Sequence, residues 1–74
     1  MQLKEAVVGK DYVIKKITGK GPLRRRIMDM GLTKGTEIHI MKVAPLGDPI
    51  QINVRGYELT LRRADAELIE AEEK

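Results

Sequence analysis

At 74 residues, with 14 Lys/Arg against 11 Asp/Glu and a net charge of +3, the chain has room for one small domain and little room for an enclosed active-site cavity. It holds no cysteine, which excludes disulfides and thiolate metal sites and fits a reducing compartment. The opening MQLKEAVVGK lacks the apolar run of a signal peptide, and nowhere do about 18 apolar residues follow one another, so the expectation is a cytoplasmic protein that does not itself cross a membrane. Charge is uneven along the chain: residues 1–34 carry nine Lys/Arg against three Asp/Glu, and residues 35–74 carry five against eight. The basic half fits an acidic partner, nucleic acid or a membrane face, or simply a solubilising surface.

In chain order, DYVIKKIT (residues 11–18) is rich in β-branched residues and reads as a strand with imperfect alternation. GPLRRRIMDMGL (residues 21–32) reads as a short helix: Pro22 suits the first helical position, and Gly31 the left-handed residue past the end, which places Leu32 back against Ile27. At about 100° per residue, Leu23, Ile27 and Met30 form one apolar stripe for the core. Arg24, Arg25 and Arg26 then fan over roughly 200°, with Arg26 beside the stripe, too wide a spread for one point-like ligand. Met28 lies among them on the outer side, where an apolar residue contributes nothing to the fold unless another chain covers it.

TEIHIMKVA begins with Ile38 and Ile40 on one face and continues with Met41 and Val43 on the other, so a bulge is expected around Ile40–Lys42. In PIQINVRGYELTLRR (residues 49–63), a two-residue turn at Arg55-Gly56 pairs Val54 with Tyr57, Ile52 with Leu59 and Ile50 with Leu61, all toward the core. Residues 65–67 read as one helical turn and Leu68-Ile69 as a short closing strand, while EAEEK (residues 70–74) is expected to be a disordered tail. Turn signals about every ten residues suit a mainly β domain spanning 1–74, a small barrel of about five strands with one helix after the first.

Candidate sites are few. His39 has only Glu37 near it on its strand face, short of the two to four ligands a metal site needs, so no metal or other cofactor is expected. No nucleophile–base pair, paired carboxylates or phosphate-binding loop stands out, which argues against an enzyme. Nucleic acid is disfavoured because there is no Phe or Trp to stack bases, and with Tyr57 turned inward only Tyr12 remains; phosphate contact through Lys15, Lys16, Lys20, Arg24 and Arg25 would be sequence-blind. The loop APLGDP (residues 44–49) reads either as a stiff turn, with Asp48 bonding its own backbone, or as a docking loop that presents Leu46.

GPLRRRIMDMGLTKG, APLGDP and RGYELTLR, in this order and spacing, resemble the FeoA family of bacterial ferrous iron transport accessory proteins. The resemblance runs from Leu3 to Ile69. It implies an SH3-like small barrel and a cytoplasmic, non-enzymatic protein that docks on the cytoplasmic part of the FeoB permease in Fe(II) uptake, at the inner face of the membrane and associated with it only through that partner. Arg24, Arg25, Arg26, Met28, Leu46 and Asp48 are the expected partner-binding residues. The alternatives are a GTPase activator that lends an arginine to the FeoB G domain, and a small basic nucleic-acid-binding barrel. Oligomeric state stays open.

Overall fold

The computed structural model describes residues 1–74. Five strands, β1 (Asp11–Ile17), β2 (Glu37–Val43), β3 (Ile50–Val54), β4 (Tyr57–Leu61) and β5 (Ile69–Glu73), form one antiparallel sheet in the order β4-β3-β2-β1-β5. Helix α1 (Pro22–Asp29) is inserted between β1 and β2, a single helical turn α2 (Arg63–Ala66) links β4 to β5, and a 3₁₀ turn at Leu3–Glu5 precedes β1. The mainly β architecture and the helix after the first strand agree with the sequence. The sheet wraps a core of fifteen buried apolar residues, yet β4 and β5 do not pair, so the barrel is left open.

The β3–β4 register is the expected one, Ile50 opposite Leu61, Ile52 opposite Leu59 and Val54 opposite Tyr57. Arg55 and Gly56 both have positive φ (51° and 87°), the type I′ geometry that matches strand twist and that Gly56 adopts without strain. Burial falls off along β4 from Leu61 toward the hairpin turn. Leu61 is fully buried, Leu59 half-buried and Tyr57 45% exposed, which corrects the assignment of Tyr57 to the core. The tyrosines in fact exchange roles: Tyr12 is 1% exposed, and its hydroxyl accepts a hydrogen bond from the Val7 N–H at 2.8 Å.

Two irregularities account for the broken alternation. β1 shifts register against β5 between Ile14 and Lys16, so that Tyr12, Ile14 and Ile17 all point inward. β2 shifts against β3 between Ile40 and Lys42, the bulge expected there, returning Val43 to the core after Met41 and Lys42 have faced solvent.

The expected disordered tail is instead part of β5. Ile69 and Ala71 are fully buried, Lys74 N–H donates to the Asp11 carbonyl at 3.0 Å, and Ala71 N–H donates to the Met1 carbonyl at 2.8 Å. Its glutamates face cations: Glu70 lies 3.4 Å from the N-terminal ammonium, Glu72 3.8 Å from Lys15 and Glu73 3.0 Å from Lys10. The Glu73 hydrogen bond and charge hold the Lys10 ammonium above the usual lysine range. Such a strand needs only one buried face, which two apolar residues supply. Leu3, fully buried beneath β5, is a core residue that periodicity does not reveal.

Candidate docking surface

Gly21 caps α1 and Pro22 opens it. At the other end Gly31, with φ 88°, donates to the Met28 carbonyl (2.9 Å) and Leu32 to the Ile27 carbonyl (3.4 Å), a Schellman closure that returns Leu32 onto Ile27. Both side chains are fully buried, and Leu23 and Met30 flank them half-buried. The apolar stripe is thereby committed to the core, and Arg24, Arg25, Arg26 and Met28 are left outside.

The three arginines differ in what they touch. Nη2 of Arg26 lies 3.6 Å from Oδ2 of Asp65, a carboxylate only 1% exposed that also accepts the Arg62 N–H at 3.1 Å. Nε of Arg24 donates to the Ile17 carbonyl at 3.5 Å, a long contact that turns the side chain toward β1. The Arg25 N–H donates to the Gly21 carbonyl at 3.1 Å, but its guanidinium has no partner among the hydrogen bonds and ion pairs of the chain. Met28, 39% exposed, is shared with Arg24 by two adjoining open depressions. Lys20 and Arg25 line one of them; Lys15, Lys16 and Lys34 line the other. The sequence offered Lys15, Lys16 and Lys20 only as diffuse phosphate contacts, and Lys34 not at all. The excess of positive charge in residues 1–34 was the available signal, and the fold gathers it around one methionine.

Leu46 and Asp48 lie elsewhere, on the loop between β2 and β3, and share neither depression with the triplet. Contrary to the stiff-turn alternative, Asp48 does not bond its own loop backbone: its Oδ1 accepts the Arg63 N–H at 3.2 Å, fastening the loop to the start of α2. Gly47 N–H to the Ala44 carbonyl (2.7 Å) and Ala44 N–H to the Pro49 carbonyl (3.1 Å) complete an ordered loop, and Leu46 stands 86% exposed on it. Turn α2 therefore braces both surfaces, α1 through Asp65 and the loop through Asp48.

His39 is half exposed, with Nδ1 2.6 Å from Oδ1 of Asp11. Glu37, on the same face of β2, is engaged by Lys74, whose ammonium this contact holds above the usual lysine range. No group of three or more His, Cys, Asp or Glu side chains gathers in a metal-binding arrangement.

The FeoA domain model matches residues 1–73. The Fe(2+) transport protein A/Fe(2+) transporter FeoB fusion protein of Porphyromonas gingivalis is 40% identical over 72 residues, a match that takes in 97% of this chain; the chain spans 8% of the length of that curated relative. The NMR structure of a FeoA-like protein from Clostridium acetobutylicum superposes with a TM-score of 0.91 at 41% identity, covering 99% of this chain and 85% of that one. The crystal structure of Stenotrophomonas maltophilia FeoA complexed with zinc, described as a prokaryotic SH3 domain protein, has a TM-score of 0.83 over 97% of this chain and 89% of its own; at 22% identity the likeness is one of fold. The helix, loop and hairpin motifs thus sit on a small SH3-like fold, and the chain belongs to the FeoA domain family.

Proposed function

We propose that the chain is a non-enzymatic accessory of bacterial ferrous iron uptake that works by docking on the cytoplasmic part of a FeoB-type permease. The observation that carries this reading is the fusion in Porphyromonas gingivalis, where a segment 40% identical to this chain shares one polypeptide with a FeoB transporter. Two domains joined covalently in one polypeptide have a high effective concentration for each other, which favours a contact between them.

The surface we assign to that contact is the loop that carries Leu46. A leucine held out from a loop already fixed by Asp48 loses little further conformational freedom when it enters a pocket, so its burial is not offset by ordering costs. Arg24 and Arg25, with Arg26 braced behind them, add a positive field that orients the approach to the membrane side of the partner. Surface plasmon resonance against the purified cytoplasmic part of FeoB tests the reading, with Leu46→Asp as the interface variant and circular dichroism as the folding control.

A further inference from the structure

We infer that the α1 face is a contact surface for anionic phospholipid headgroups, so that the domain touches the bilayer directly as well as through its protein partner. Lys15, Lys16, Lys20, Arg24, Arg25 and Lys34 surround Met28 across two adjoining depressions, and no Asp or Glu lines either one. Of these six cations only Lys15 has a carboxylate within reach, Glu72 at 3.8 Å. Elsewhere Lys4, Lys10 and Lys74 are each paired, with Glu67, Glu73 and Glu37, while Lys42, Arg55, Arg62 and Arg63 are unpaired but line no common depression. Five of the nine unpaired cations of the chain, Lys16, Lys20, Arg24, Arg25 and Lys34, are therefore gathered on this one face.

The form of that face selects its occupant. Both depressions open to solvent, and the cations are spread around the outer side of α1 and the adjoining part of β1, so one small anion would meet only two or three of them. A planar array of phosphates would meet them together. Long Lys and Arg side chains reach such an array while the exposed Met28 thioether enters the interfacial layer between them. A nucleic acid is also a phosphate array, but it gains much of its hold from stacking on aromatic rings; Tyr12 is buried, and Tyr57 turns its hydroxyl to the Met30 carbonyl at 3.4 Å.

The inference rests on the reading that the domain works beside a membrane permease, and the test separates the two. The intact chain is sedimented with vesicles of phosphatidylcholine alone and of phosphatidylcholine with roughly one third phosphatidylglycerol, at low and high salt. Wild type is expected to sediment only with the anionic vesicles and to be released by salt. Arg24→Glu with Arg25→Glu should lower that partitioning about tenfold or more, and Met28→Ala should lower it less. In parallel, the same double variant, lipid-free, should associate more slowly with the soluble cytoplasmic part of FeoB, because these arginines orient the approach, and should retain the wild-type dissociation rate. Wild type that ignores anionic vesicles yet binds soluble FeoB overturns the lipid contact and leaves the docking reading intact. Wild type that binds vesicles and ignores soluble FeoB does the reverse. A faster lipid-free dissociation of the double variant, or tighter retention on RNA than on vesicles, also overturns the inference.

Discussion

Arg26 and Asp65 join the helix that carries the basic face to the turn that closes the fold: Nη2 and Oδ2 are 3.6 Å apart, with the arginine half exposed and the carboxylate buried. The same carboxylate accepts the Arg62 N–H at 3.1 Å, so it serves α1 and α2 together. Asp65→Ala leaves that N–H without its acceptor and should cost about 1–3 kcal/mol in urea denaturation. Arg26→Ala removes a half-solvated partner and should cost about 1 kcal/mol or less. Equal stability of wild type and Asp65→Ala would show that the bracing role is misassigned.

The gradient of burial along β4 makes a second prediction. Leu61→Ala removes a fully buried side chain and should cost about 2–5 kcal/mol, enough to unfold much of so small a domain. Leu59→Ala, half-buried on the same face, should cost about 1 kcal/mol. Thermal melts of the two variants decide it; the opposite ranking would mean that the burial gradient along β4 is wrong.

The same strand shows what the sequence could and could not reveal. Strict period-two alternation around a two-residue turn determined the partner of every residue in the hairpin, because a slip by one would have turned one strand's three apolar side chains away from the other strand's three. Alternation says which face a residue takes, not how far that face is covered, so Tyr57 was placed with the core although it sits at the open end of an edge strand. Long-range partners were hidden in the same way. Nothing local to Asp48 points to the Arg63 N–H, nothing local to EAEEK points to the lysines that its glutamates meet, and Lys34 joins the basic face only once β1 and α1 are packed. Helix α1 was legible because its start, its stop and its buried stripe are all written within a dozen residues.

Metal binding gives a third prediction. The His39 Nδ1 is occupied by Asp11 and Glu37 by Lys74, so a cation would have to displace existing pairs to gain two or three ligands at an exposed site. Anaerobic calorimetry should find no micromolar Fe(II) or Zn(II) site on the isolated domain. A stoichiometric site of that affinity, abolished by His39→Ala, would show that these side chains rearrange into a metal centre.

A GTPase activator and a docking accessory differ by orders of magnitude in one rate. An arginine finger raises GTP hydrolysis by about 10³–10⁵. Here Arg24 is turned to the Ile17 carbonyl and Arg26 to Asp65, and Arg25 projects from the side of a helix turn with little reach beyond it. Addition of a saturating amount of the domain to the FeoB G domain should change its single-turnover hydrolysis by about twofold at most. A thousandfold acceleration lost in Arg25→Ala would establish the activator in place of the accessory.

Direct binding to the lipid-free cytoplasmic part of FeoB, followed by surface plasmon resonance, bears most closely on the docking account. Wild type should bind saturably, and Leu46→Asp, folded by circular dichroism, should dissociate about tenfold faster or more, as expected for the loss of an apolar anchor. No saturable binding by wild type, or a Leu46→Asp variant that binds and dissociates like wild type, would contradict it.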